Sequence, residues 1–399
     1  MNASSFVLAV CMLAASSTVQ GAPRVPASDD VVVGTLPSGG TARSPALRAL
    51  RGAASQQPED LHAALALARH HVALGRATGD PRHAGHAQAA LARWWRLPDP
   101  PEDVRLVRAI LAQREHRFDA ALADLDAILA RRPSHAQARL TRATLLQVRG
   151  QWPEAAQECD RLPSQVPRAY VAACVLSVAA LAGDPWNAYT QLAVVRDDVP
   201  PDDADALAWL DGLLAEMAER AGRDRDAETR YRAALAAAPG DPYLVGAYAD
   251  FLLDRRRDRE AFELTRAGRA ADPLLLRHAI AAKRLGDGFA GEAAAQLRDR
   301  FAASRRRGDS AHQREEARAA LELHGNAAEA LRLARENWRV QKEPADAVVL
   351  LAAAVAANDA GSVGTVRDFM TVSGLRDVRL DRLLRAAAHP TRASLRNRE

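Results

Sequence analysis

Lysine is almost missing from this chain: Lys283 and Lys342 are the only two among 399 residues. Nearly every positive charge is therefore an arginine. The 54 basic residues are interspersed with 50 acidic ones, and no basic stripe with interleaved aromatics forms. Despite a formal charge of +4, that pattern speaks against a nucleic-acid-binding surface. Aromatic residues are scarce too, at 5%. Alanine does much of the apolar work, which suits closely packed helices, since alanine has the highest helix propensity. Runs with strand alternation are almost absent, so the fold class expected is all-α. After the N-terminus no apolar run is long enough to span a bilayer. No HExxH, GxSxG or kinase motif set occurs, and the three cysteines show no CxxC or Cys/His zinc spacing. Neither a catalytic group, a cofactor nor a metal is expected, and the chain is read as a non-enzyme. An enzyme with a site assembled from distant positions remains an alternative.

The N-terminus reads as an export signal over residues 1–21. Phe6 to Ala15 is a short apolar run, and Val19-Gln20-Gly21 precedes Ala22 as a cleavage site. No Lys or Arg precedes the run. A lipoprotein alternative uses Cys11, against which stand the bulky Val10 before it and the apolar residues after it. Removing the signal leaves Cys159 and Cys174, an even pair that either bridges in an oxidising compartment or packs as two small hydrophobes. The localisation expected is exported, periplasmic or otherwise in the cell envelope. Residues 22–45, rich in Pro, Gly, Ser and Asp, form a flexible arm. Within it Gly34 to Thr41 lacks the lysine of a phosphate loop and is read as linker.

Prolines supply the organisation. Pro98, Pro133, Pro167, Pro200, Pro239 and Pro273 follow one another at 35, 34, 33, 39 and 34 residues. Each follows a segment of helical periodicity and is expected to close a second helix, since a helix cannot continue through proline. Small residues recur in pairs 11 or 12 apart: Ala109/Ala121, Ala143/Ala155, Ser177/Ala188, Ala215/Ala227 and Ala249/Ala261. Each pair marks where two helices cross closely, because side-chain size at the contact sets the approach. The long interval before Pro239 is assigned to Pro200-Pro201-Asp202-Asp203 and an enlarged first helix. Earlier, Pro58-Glu59-Asp60 opens a helix that Gly75 or Gly79 ends, and the next runs over 84–96 with Trp94 and Trp95. Repeats are expected over 46–300, degenerate helical repeats over 301–388, and a disordered tail over 389–399.

The period near 34, the small crossing residues and the prolines resemble tetratricopeptide repeat proteins over about residues 58–300. The segment from Gly75 to Trp95 also resembles a signature of exported proteobacterial repeat proteins. The resemblance implies a right-handed superhelical solenoid of antiparallel hairpins, acting as a protein-interaction scaffold. An extended peptide or partner helix, as part of an envelope component, would lie in the concave groove. An envelope glycan or secretion assembly factor is the alternative. Projected on the repeat register, groove contacts are Asp103, Gln113, Gln137, Thr144, Gln147, Trp209, Glu216, Tyr243, Asp250, Arg277 and Arg284. The positions that grip a peptide carboxylate in some repeat domains hold residues such as Leu140, Thr144, Arg277 and Ile280, so no such clamp is expected. His83 and His86, with His70 and His71, have only Asp80 as a nearby acid. They are read as packing or solvent-facing residues rather than a metal set. Trp94 and Trp95 are read as core packing with one ring exposed.

Overall fold

The computed structural model describes residues 44–306, 308 and 312–388. The expected signal at 1–21, nearly all of the arm at 22–45 and the tail at 389–399 lie outside the described residues. Among these, twenty-one α-helices and no strand occur. The first four are α1 (Pro45–Gln56), α2 (Leu61–Thr78), α3 (Arg82–Ala90) and the short α4 (Ala92–Trp95). Hairpins follow: α5 (Glu102–Arg114) with α6 (Phe118–Arg131), α7 (Ala136–Val148) with α8 (Trp152–Asp160), and α9 (Arg168–Leu181) with α10 (Pro185–Asp197). Next come α11 (Ala204–Arg220) with α12 (Asp224–Ala237), α13 (Pro242–Asp254) with α14 (Asp258–Thr265), and α15 (Asp272–Leu285) with α16 (Phe289–Arg306). In the C-terminal part α17 (Gln313–Arg318) runs into a π-helical turn (Ala319–Leu323) and pairs with α18 (Ala327–Val340). There α19 (Pro344–Ala356) pairs with α20 (Ala360–Ser373), and α21 (Val378–Ala388) packs against α19. The whole is an all-α solenoid of helical hairpins.

Local chemistry explains the hairpins. Asp184, Asp203 and Asp241 cap α10, α11 and α13 by accepting backbone N–H bonds in the first turn. Four of the five turns within the hairpins from α5 to α14 use one left-handed residue. Gly150 and Gly222 supply it at φ 74° and 72°, while His116 and Arg256 adopt it at 55° and 58°. The N–H just beyond each then bonds back to the helix: Arg117 to Ala112, Gln151 to Leu146, Arg223 to Ala218 and Arg257 to Leu252. This is the Schellman pattern, which satisfies carbonyls left over at a helix end. Of the ten small crossing residues, nine are buried alanines. Ser177 differs: it is half-buried and donates its hydroxyl to the Cys174 carbonyl at 3.0 Å.

A second repeat-linked device is ionic. Asp124 is buried between Arg105 (3.4 Å) and Arg108 (2.7 Å from Nε to Oδ2). Thirty-four residues later Glu158 is buried between Arg139 and Arg142, each at 2.8 Å. Asp211, with 0% exposure, is held by Arg196 at 2.7 Å and Arg230 at 2.9 Å. A buried carboxylate is tolerated only when paired and hydrogen-bonded in this way.

Two sequence expectations change in detail, and one open alternative is resolved. The helix expected over 84–96 breaks at Leu91, which is fully buried and separates α3 from α4. Gly75 lies inside α2, and Gly79, at φ 67°, ends it. Pro167 and Pro273 do not close second helices. Pro167 is the residue before α9, and Pro273 sits in the first turn of α15, where its missing N–H costs no helical bond. The solenoid also curls back on itself. A methyl group on Gly79 would lie 3.1 Å from the Cβ of Ala271 and 3.7 Å from the Cγ of Pro242. The second helix of the chain thus abuts the start of α13.

Candidate functional site

The projected groove positions lie on the first helices of successive hairpins, and the chain's own C-terminal helices pack across several of these helices. The Lys342 N–H donates to the Val148 carbonyl at 2.7 Å, beside Gly150. Phe369 packs edge-on against Trp152 and Trp338, with centroids 5.5 and 5.0 Å apart. At the end of α9, Gly374 comes so close that a Cβ would stand 2.6 Å from the Ala182 carbonyl oxygen. Val378 covers Gly222 at the end of α11, and Arg379 lies 3.5 Å from Glu219. Arg318 donates to Asp250 of α13 at 2.6 Å, and Glu322 accepts from Arg284 of α15 at 2.6 Å. All these contacts fall on the later turns of the first helices. One continuous apolar core joins Ala143, Leu146, Trp152 and Val178 to Leu350, Val366 and Leu380.

The projected groove residues therefore divide into groups. Asp250, Arg277 and Arg284 have their charges met inside the chain: Arg277 binds Asp250 at 2.6 Å and the Gly246 carbonyl at 3.0 Å. Burial would raise the Asp250 carboxyl, but Arg277 and Arg318 outweigh it and hold it down to about 2. Asp103 pairs with Arg69 of α2 at 2.7 Å and helps join the first hairpins. Gln137 donates to the Thr141 hydroxyl, Thr144 bonds back to the Leu140 carbonyl, and the Gln147 carbonyl accepts from Trp152. Gln113 is half-buried on α5.

Trp209 and Tyr243 are the exposed members of the projected set, while Glu216 is half-buried and feels the charges of Glu343 and Arg379 from the C-terminal part. Trp209 is 39% exposed and Tyr243 65%. The Tyr243 hydroxyl donates to the Glu216 carboxylate, which holds the phenol well above its ordinary value; burial pushes the Glu216 carboxyl up in turn. Tyr170, which sequence reasoning did not select, stacks on Trp209 with centroids 5.4 Å apart and planes 27° apart. It lies two residues into α9, outside the Trp209/Tyr243 spacing, so no periodic signal marks it. Beside the pair is a cavity of about 240 Å³ lined by Pro167, Tyr170, Val195, Val199, Pro200 and Ala206. The arrangement offers flat aromatic faces and an apolar niche on the early turns of the first helices. It can bind; it assembles no nucleophile with a base.

Three other groups marked by the sequence lie elsewhere. Cys159 of α8 and Cys174 of α9 are joined, with Cα atoms 5.6 Å apart. Trp94 and Trp95 are both half-buried against the core of Leu65, Leu91 and Leu111. The histidines gather between α2 and α3. His71 and His83 are buried with their Nδ1 atoms 3.0 Å apart, and His86 is exposed beside them. Burial pushes the His71 imidazole down to about 4, aided by His83 and His86, and lowers His83 as well.

This geometry defines a class: a solenoid of helical hairpins whose own C-terminal helices pack across several of the first helices. Residues 112–175, from the end of α5 into α9, match the family described as tetratricopeptide repeat. Over that stretch the chain carries tetratricopeptide repeats, units that stack into extended concave surfaces. Among solved structures it is similar to yeast Tom70, at 11% identity over 88% of this chain and 92% of that one, with a TM-score of 0.32. It is also similar to the TPR domain of P58(IPK), at 16% identity over 83% of this chain and 98% of that one, with a TM-score of 0.22. No curated protein matches the chain. No helix among the described residues is long and apolar enough to cross a membrane.

Proposed function

We propose that this protein is an exported interaction scaffold of the cell envelope that holds an extended peptide or partner helix in its concave groove. The observation that carries the reading is the aromatic set Tyr170, Trp209 and Tyr243, in which Trp209 and Tyr243 are exposed and the half-buried Tyr170 stacks on Trp209. Aromatic anchors beside an apolar niche are what partner side chains use for affinity. The apolar N-terminal run and the joined cysteines support the exported location. The partner is read as a protein of the envelope; the groove holds no cofactor and performs no reaction. A photo-crosslinker placed at Gln137 or Tyr243 tests this in native envelopes. One defined protein should be captured from both positions, and Trp209→Ala should abolish capture. Unchanged capture in Trp209→Ala would remove the groove from the proposal. Saccharide binding without a protein partner would favour the glycan-assembly reading, since a stacked aromatic pair also suits sugar rings.

A further inference from the structure

The histidines between α2 and α3 are placed more closely than packing requires. Gly75 makes this possible: a Cβ there would lie 3.2 Å from the Cβ of His83, so the glycine lets α3 settle against α2. His83 then faces His71, Nδ1 to Nδ1 at 3.0 Å. His86, one turn further along α3, completes a triangle. Ring centroids are 5.2 Å apart for His71 and His83, 5.0 Å for His71 and His86, and 6.0 Å for His83 and His86. Two imidazoles bound to one tetrahedral ion, each nitrogen about 2.1 Å from it, have centroids about 5.2 Å apart and nitrogens about 3.3 Å apart. Two sides of the observed triangle have that size, and the side between His83 and His86 is longer.

We propose that His71, His83 and His86 form a three-histidine site for a late first-row divalent metal ion of the zinc class. No group of three donors among the described residues already converges on one point. The third nitrogen comes from His86, whose exposed ring turns inward without disturbing the core. Water fills the fourth position. The charged groups facing the cluster are Asp80, held by Arg82, and Arg51 from α1. An all-imidazole set among two cations excludes magnesium and calcium, which want oxygen ligands, and favours zinc, cobalt, nickel or copper. The two buried rings stand on neighbouring helices, so a bound ion would also staple the first hairpin.

The test is a titration of the untagged, metal-stripped full chain with cobalt(II), followed by displacement with zinc(II). The expected result is one equivalent bound with the visible absorption of a tetrahedral site. His86→Gln should weaken binding at least about tenfold. His62→Gln, at an exposed histidine of α2, should leave it unchanged. Both replaced side chains are exposed, so neither variant threatens folding. Absence of stoichiometric binding, or equal affinity in His86→Gln and the parent, would overturn the proposal.

Discussion

The hairpins from α5 to α14 and the C-terminal helices from α17 to α21 are built of the same amino acids by different rules. In the first region alanine sits at each crossing, an arginine pair grips a buried acid in three places, and a left-handed residue turns four of the five hairpins. In the second, Trp338, Phe369 and a row of Leu and Val do the packing, and a π-helical turn interrupts the first helix. The difference lies in what each unit touches. A hairpin inside an array meets only its neighbours, so each must present the same faces at the same spacing. The C-terminal helices meet α7, α9, α11, α13 and α15 at once. No period is imposed on a segment whose contacts come from five different repeats.

The largest expected effect strikes the array and its filling together. Asp211→Ala leaves the half-buried Arg196 and Arg230 without the buried acid they share. It should cost about 3–5 kcal/mol, read from the urea midpoint, because removing one partner of a buried ion pair is expensive. If the C-terminal helices retained native hydrogen-exchange protection while the array lost it, the dependence of one on the other would be broken. Next is the link between α8 and α9. Cys174→Ser, in protein purified under oxidising conditions, should cost about 3 kcal/mol, the value for closing a loop of some 15 residues.

Gly374→Val separates the two regions. At φ 78° with the Ala182 carbonyl in its way, a side chain must push the α20–α21 turn off α9. A loss of about 1–3 kcal/mol is expected, with exchange rising in α19–α21 and the array left intact. The first hairpin and the junction of α11 with the C-terminal helices should also answer pH in opposite senses. Folded His71 refuses a proton until about pH 4, while its unfolded form takes one near 6.5. The first hairpin therefore loses stability as pH falls through that window. Glu219, buried under Arg379, is raised by burial to about 7 from 4.5. Its folded form keeps a proton that the unfolded chain has released, so its contribution is full below pH 4.5 and lost as pH rises through 7. Hydrogen exchange at pH 5 and pH 8 should show less protection in α2–α3 at the first and in α11–α21 at the second. The smallest stability effect, about 1 kcal/mol or less, is expected for the half-exposed Trp209→Ala, judged by thermal unfolding beside its full loss of crosslinking.

Much of the array was legible in advance because its rules are local. Proline spacing, paired alanines and inter-helix glycines mark the hairpins from α5 to α14. The enlarged α11 agrees with the long interval before Pro239. What escaped depends on contacts that spacing does not encode. Pro167 and Pro273 keep the period yet begin helices, because a proline is equally at home after one helix and in the first turn of the next. Of the groove residues chosen by register, Asp250, Arg277 and Arg284 turn out to be bound within the chain, since register gives the facing direction and not what stands opposite. Tyr170 was missed because it breaks the period. His71 joined His83 only once Gly75 could be seen to let α3 approach.

The contact of Gly79 with Ala271 and Pro242 carries one more consequence. An open array behaves like a spring: it stretches under load, and a unit can be inserted or removed with little harm elsewhere. Here an early helix bears on a helix five hairpins later, and the number of hairpins between them is fixed by that meeting. Adding or deleting one would carry α13 past α2 and misplace every contact of the C-terminal helices. The molecule has become a closed coil of set length. Its groove should keep its width under tension, and its repeat number should be as intolerant of change as the core of an ordinary globular domain.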